Sequence, residues 1–389
     1  NNTEEGLVRQ ALAEPIDSPE LSELAVGKEN VIIISSDHTR PVPSHVTMPI
    51  LLEEIRKGNP KADITILIAT GFHRATTEEE LRDKYGDKIV EKERIVVHDS
   101  RDESSLTEMG KLPSGGDLRI NKLAVKADLL VAEGFIEPHF FAGYSGGRKS
   151  VLPGIAGKTT VLANHCSEFV GHERARTGML EGNPMHEDML YAAEKVGLNF
   201  ILNVVINEDK KVINGFAGHR EKAHARGCEF VSKLAGVEKK PADIVITTNG
   251  GYPLDQNIYQ SVKGMTAAEA TCKKDGVIII ASQCADGHGG KAFYNTFKKA
   301  DKPEDVMRGI NCRDRKETIP DQWESQILAR ILIKFDVVMV TDAPQDLVED
   351  MHMRWAPDLK KALELAEEIV DSKKAGITVI PDGVSVIVE

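Results

Sequence analysis

The sequence predicts an α/β protein of two α/β domains with mostly parallel sheets and an active-site cleft between them. Three observations predict it. Short β-branched runs alternate with amphipathic stretches along the whole chain, the pattern of parallel strands covered by helices. A length of 389 residues exceeds what one hydrophobic core usually supports. A polar break from Lys233 to Ala242, with Lys239-Lys240-Pro241 in it, separates two such series and serves as the expected linker.

The expected strands of the first series are Val31 to Ser35, Ile64 to Ala69, Ile95 to His98 and Leu129 to Ala132. Those of the second are Ile244 to Thr247, Val277 to Ala281 and Val337 to Val340. Apolar residues at helical spacing predict helices over Met48 to Arg56, Thr77 to Tyr85, Met185 to Val196 and Leu359 to Val370. Thr77 followed by Glu80 forms a capping box at one helix start. The stretch Ile377 to Val388, with Pro381-Asp382-Gly383 between apolar runs, reads as a hairpin able to pack on either domain. The domain boundaries are therefore 1–236 and 237–389, with no solenoid repeat.

Composition narrows the class of function. A net charge of -12 is a poor match to nucleic acid, whose binding depends on clustered Lys and Arg. No apolar run approaches the roughly 20 residues that span a bilayer, so no membrane partner is expected. The five cysteines lie scattered without a C-x-x-C pair, which fits neither a disulfide framework nor a thiolate zinc site and points to a reducing cytoplasm.

The chemistry concentrates between Glu137 and His165. Two imidazoles, His139 and His165, flank a glycine-rich turn that ends Gly146-Gly147-Arg148-Lys149. Such a turn can expose backbone N–H groups to a phosphate. It is not a P-loop, because Arg148 separates glycine from lysine; Gly157-Lys158-Thr159 fails as well, with Leu152 at the first glycine's place. In open parallel sheets ligands bind beyond the carboxyl ends of strands, so the loops carrying Arg40, His73 and His139 are expected to converge.

Nine of the histidines, including His98, His186 and His224, read as surface or core residues without chemical duty. His73, His139 and His165 stand above them by position, and none lies in H-E-x-x-H or another helical zinc pattern. Arg40, in a proline-flanked turn, has the preset planar fork that carboxylate recognition uses, or merely pins its loop. Lys149 beside Arg148 is either a desolvated nucleophile and attachment point or a surface lysine. Tyr259-Gln260-Ser261-Val262-Lys263 places an amide and an amine at a helix start in the second domain.

These blocks, in this order, resemble the nickel-dependent lactate racemase family: Asp37-His38-Thr39-Arg40-Pro41, Gly71-Phe72-His73-Arg74, Pro138-His139 with Gly146-Gly147-Arg148-Lys149, His165, and Tyr259 to Lys263. The resemblance implies an isomerase that racemises lactate or a related 2-hydroxy acid by proton-coupled hydride transfer through a pyruvate-like intermediate. It implies a nickel pincer nucleotide, a nicotinate-derived mononucleotide whose two sulfurs and one ring carbon bind nickel, made by separate cofactor-biosynthesis proteins. By the same resemblance Lys149 is the covalent attachment point, His165 the nickel ligand and Asp37 a cofactor contact. His73 and His139 are the acid/base pair, Arg40 holds the substrate carboxylate, and Tyr259, Gln260, Lys263 and Trp323 complete the substrate site from the second domain.

The chemistry is consistent with that set. The C2 proton of a 2-hydroxy carboxylate is very weakly acidic beside an anion, so removing hydride while a base takes the hydroxyl proton avoids a dianion. Other hydroxy acids or a sugar on the same scaffold, a non-catalytic binder of a phosphorylated pyridine nucleotide, and a zinc hydrolase using His73, His139 and His165 remain as alternatives.

Overall fold

The computed structural model describes residues 3–389, which divide into two compact units. The first comprises the chain up to Glu137 together with Tyr144–Asn164 and Met179–Lys233. The second comprises Pro138–Gly143, His165–Gly178 and Leu234–Glu389. Two short excursions of the first half of the chain thus pack with the second unit, and they carry His139 and His165.

The first unit is built on strands β1 (Asn30–Ser36), β2 (Asp63–Ala69), β3 (Arg94–Val97), β4 (Leu129–Phe135), β5 (Phe200–Ile206) and β6 (Val212–Gly218). Their spatial order is β6-β5-β4-β1-β2-β3, parallel except for the antiparallel β5–β6 pair at one edge. Residues Val31 to Ser35 are buried without a break, because helices cover both faces of a parallel sheet. Ile33, Ile66, Val131 and Leu202 form one face of the core, against Met48, Leu51 and Ile55 of the helix Ser44–Gly58. The Thr77–Glu80 capping box is present, starting the helix Glu78–Tyr85.

The second unit has β7 (Ala242–Thr248), β8 (Cys272–Ala281), β9 (Asp336–Val340), β10 (Arg354–Ala356) and β11 (Ile377–Ile380). They form an all-parallel sheet of order β10-β9-β8-β7-β11. Ile244, Val277, Ile279 and Val338 pack against Ala362 and Ala366 of the helix Leu359–Ile369.

Two sequence expectations need correction. The hairpin over 377–388 does not form: Ile244 to Thr247 pair with Ile377 to Ile380 in parallel, while Ile387–Val388 pairs with Gly236–Val237. The Pro-Asp-Gly turn is real, but each arm finds a different strand. The polar break is also shorter than expected, since a helix runs from Lys222 to Ala235 and Gly236–Val237 is itself a strand. Among the described residues no helix is long and apolar enough to cross a membrane.

Candidate active site

In the first unit, β1 and β2 are neighbours with Ser36 opposite Ala69, so the loops that leave their carboxyl ends run side by side. Asp37 follows one and His73 the other, and they meet. Asp37 Oδ2 lies 2.6 Å from His73 Nδ1. Its Oδ1 accepts from the Thr39 amide at 3.0 Å and the Thr39 hydroxyl at 2.6 Å. Asp37 is 1% exposed. Burial alone would raise its pKa, but the hydrogen bond and charge of His73, with help from Thr39 and Arg40, hold it below the usual carboxylate value. An ionised Asp37 accepts the Nδ1 proton and leaves His73 Nε2 with its lone pair free for a base's work. Arg40, exposed in the same turn, donates its amide to the Asp37 carbonyl at 3.3 Å.

The glycine turn of the first unit is braced from inside rather than open. Gly147 N donates to Asn203 Oδ1 at 2.7 Å, and Lys149 N to Gly146 O at 3.1 Å. Both glycines have positive φ, and a Cβ on Gly147 would stand 2.7 Å from the His224 ring, one on Gly146 2.7 Å from Asn203. The glycines therefore serve packing, and at least two of the turn's N–H groups are already committed. Arg148 points inward, 1% exposed, donating to Tyr144 O at 2.7 Å and His186 Nδ1 at 3.0 Å. Burial lowers its pKa to about 10. Burial and the nearby Arg148 likewise push His186 down to about 3 and His224 well below its usual value, so both are neutral core residues. Lys149 is left on the 3₁₀ turn Gly147–Ser150, half-buried.

The second unit gathers the remaining predicted residues. His139 packs edge-on to Phe141, with ring centroids 4.5 Å apart, and its Nδ1 accepts from the Ala142 amide at 3.2 Å. A ring nitrogen that accepts carries no proton, so the neutral ring presents Nε2–H, the tautomer opposite to that of His73. Phe141 meets the His165 ring at 5.5 Å, and His165 meets Trp323 at 5.0 Å, both edge-on. His165 is 5% exposed, its plane fixed by aromatic edges on two sides.

Trp323 lies in the first turn of the helix Gln322–Lys334, with its side chain close to that of Tyr259. The Tyr259 hydroxyl donates to Asp321 Oδ1 at 3.0 Å. Asp321 holds the left-handed conformation, φ +63°, at the start of that helix. Asn257 caps the helix Ile258–Thr271 by accepting from the Gln260 amide, and one turn on Lys263 Nζ donates to Gln260 Oε1 at 2.6 Å. The ammonium of Lys263 also lies 6.0 Å from the centre of the Phe140 ring.

The segment carrying His165 is fastened within its unit. Gln326 Nε2 donates to Ser167 O at 2.7 Å, and Arg315 pairs with Glu168 at 2.8 Å while stacking over Phe169 at 4.6 Å. Glu269 accepts both arms of Arg330, at 2.9 and 2.7 Å, and Lys334 at 3.2 Å. The charge of Arg176 also bears on Glu269.

Two family descriptions match the chain: the lactate racemase N-terminal domain over residues 1–178 and the lactate racemase C-terminal domain over residues 237–388. The chain belongs to the lactate racemase family. It is 64% identical to the lactate racemase of Thermoanaerobacterium thermosaccharolyticum over 389 residues, covering all of this chain and 91% of that one. Against the lactate racemase of Lactiplantibacillus plantarum it is 55% identical over 388 residues, again covering all of this chain and 91% of that one. The solved apoprotein structure of the T. thermosaccharolyticum enzyme superposes with a TM-score of 0.99 at 63% identity, covering 100% of this chain and 93% of that one. A Thermotoga maritima protein shares the fold alone, with a TM-score of 0.70 at 21% identity over 100% of this chain and 98% of that one. Family membership makes this chain a racemase, and so an isomerase.

Within this family framework, three residues that sequence reasoning passed over belong beside the predicted set. Thr39 supplies two of the hydrogen bonds that hold Asp37 ionised. Lys84 reaches Ser36 Oγ at 3.3 Å, its pKa lowered first by burial, while Glu133 and Asp37 pull it back up. Glu324 stands next to Trp323 and is 1% exposed. Its only sequence signal is an acid in the first turn of a helix, which is where exposed acids ordinarily sit.

Proposed function

We propose that this chain interconverts D- and L-lactate through a pyruvate-like ketoacid, using a nickel pincer nucleotide attached at Lys149. The reading rests on full-length likeness to lactate racemases, and on one observation in particular: Asp37 fixes the His73 tautomer with Nε2 free.

The residues fit the cofactor. Among the described residues no set of three or more His, Cys, Asp or Glu side chains is arranged to hold a metal ion. A single buried imidazole, His165, suits a group that brings three of its own ligands, and square-planar nickel accepts soft sulfur donors plus imidazole. Lys149, half-buried on a turn with at least two backbone N–H groups already committed, is a fixed point for attachment. When bound, the group would supply the hydride acceptor and donor.

The chain's own residues do the rest. The substrate carboxylate is assigned to Arg40 and to Lys263, whose ammonium Gln260 steadies. His73, aligned by Asp37, takes the hydroxyl proton at Nε2 as hydride leaves C2. His139 presents Nε2–H to an oxygen. Returning a proton from Nε2 without leaving an imidazolate requires His139 first to release the Ala142 amide and take a proton at Nδ1; for the opposite enantiomer the two histidines exchange roles. Trp323 and Tyr259 border the substrate's side chain.

The test is purification from cells able to make the cofactor, followed by metal analysis and intact mass. Nickel and an added mass that Lys149→Ala abolishes are expected, with D/L-lactate interconversion lost in His73→Ala and His139→Ala. Wild-type protein with neither nickel nor adduct sinks the cofactor assignment. Full activity in either histidine variant removes that residue from the reaction.

A further inference from the structure

The reaction as described leaves one buried acid of the second unit unused. Glu324 is 1% exposed in the first turn of the helix Gln322–Lys334, and its Oε1 has no hydrogen-bond partner among the described residues. A buried carboxylate in that state is costly, by several kcal/mol after relaxation. The charged and titratable groups that bear on it are Lys263 and Tyr259 from the helix Ile258–Thr271, and Asp321 from the start of its own helix. The Tyr259 hydroxyl is committed to Asp321. Burial dominates and raises the Glu324 pKa, Lys263 opposes the rise and Asp321 adds to it; the outcome is a carboxyl held well above the usual range. The helix N-terminus favours the anion by at most about 1 kcal/mol at an ordinary site, too little to reverse that order.

Among the described residues Lys263 is the cation whose charge favours ionised Glu324, and it is also the cation assigned above to the substrate carboxylate. The two demands compete. Once an anionic head pairs with the ammonium, Glu324 loses its compensation and the neutral acid becomes the favoured form.

We propose that Glu324 is a positioning residue for Lys263, taking a proton from solvent when a carboxylate substrate binds and returning it when the substrate leaves. The inference rests on the assignment of Lys263 to carboxylate binding.

The experiment follows the side-chain carboxyl of Glu324 by ¹³C NMR in the full-length chain labelled at glutamate, the signal being identified by its loss in Glu324→Gln. Should that amide variant fail to fold, Glu324→Asp identifies the signal by its displacement. Titration with and without L-lactate should give a midpoint above that of ordinary glutamates, displaced upward by about one pH unit with lactate, a tenfold gain in proton affinity. In the holoenzyme, KM for lactate should rise about tenfold per pH unit above that midpoint, a limb that Glu324→Gln flattens. A carboxyl that titrates with the ordinary glutamates overturns the proposal. So does a midpoint that lactate leaves in place while Lys263→Met weakens lactate binding. Lactate binding unchanged in Lys263→Met instead removes the carboxylate assignment, and this inference with it.

Discussion

Asp37 Oδ2 and His73 Nδ1 stand 2.6 Å apart, and the carboxylate is buried while the imidazole is open to solvent. The difference in exposure matters. The buried partner keeps its charge because it accepts hydrogen bonds from three donors, and the exposed partner is left with one free nitrogen whose identity the carboxylate dictates.

Asp37→Asn should expose that dictation. An amide of the same shape can offer its N–H to Nδ1 and so place the imidazole proton on Nε2, the wrong nitrogen for a base. The expected loss in kcat is about 10²–10⁴-fold, on the scale seen when an orienting carboxylate is replaced in other His-dependent enzymes. By microscopic reversibility the loss in kcat/KM should be the same from either enantiomer, since the proton His73 takes in one direction it returns in the other. Initial rates from pure D- and pure L-lactate check this; losses well under tenfold would mean that Asp37 does not set the tautomer.

Part of this was legible in the sequence, and the reasons are physical. Parallel strands covered on both faces must be apolar throughout, so Val31 to Ser35 and Val277 to Ala281 announced themselves as runs. Their carboxyl-end loops followed from topology, which is why Arg40 and His73 stood out. Pairing partners were not legible: Pro381-Asp382-Gly383 between apolar arms looks the same whether the arms pair with each other or, as here, with β7 and with Gly236–Val237. Gly147 stood out as a candidate phosphate contact, whereas its packing role was not legible, because a positive φ and the neighbouring His224 ring cannot be seen in one dimension. Glu324 was invisible, since nothing in an acid's identity says whether its helix turn faces water.

The ion cluster on Glu269 makes a prediction about acid stability. Burial would raise the Glu269 pKa, but Arg330, Lys334 and Arg176 together hold it below the usual glutamate value. A carboxylate depressed on folding contributes stability that is complete above its unfolded value of about 4.3 and is lost as pH falls through the lower folded value. Glu269→Gln removes the group and leaves Arg330 uncompensated, at a cost of about 3–5 kcal/mol near neutral pH. Thermal denaturation between pH 3 and 7 should show a variant less stable at pH 7, by at least about 6 °C, and a shallower acid limb. Equal slopes for the two proteins would show that Glu269 is not the titrating group.

Gly147→Ala separates packing from ligand binding. If the glycine serves only to let a phosphate approach, the variant keeps its stability and loses only the cofactor. The geometry requires more: an alanine at φ +52° with its Cβ 2.7 Å from the His224 ring must distort backbone or ring. The combined cost of left-handed backbone and overpacking is about 2–5 kcal/mol, readable by denaturant unfolding of protein produced without cofactor. Wild-type stability in that preparation would return the turn to a purely ligand-binding reading.

Trp323 connects two features of the second unit, the edge contact to His165 at 5.0 Å and the side chain of Tyr259. Tyr259 in turn holds Asp321, whose left-handed backbone sets the direction in which the helix begins and thus where Trp323 points. The three therefore act as one brace for the His165 ring, and their contributions should not add. Tyr259→Phe keeps the ring and its packing on Phe293 while deleting the hydrogen bond to Asp321. Trp323→Phe keeps an aromatic edge while removing the larger indole. Each alone should cost about 1 kcal/mol, and the double variant less than the sum by about 0.5–1 kcal/mol, the coupling expected of neighbouring residues. The same cycle applied to nickel retention reads the brace at His165 directly. If Tyr259→Phe loosens the helix start, the holoenzyme should lose nickel faster to a chelator than wild type, and adding Trp323→Phe should accelerate that loss little further. Strict additivity in both measurements would show that Trp323 and Tyr259 support the imidazole independently.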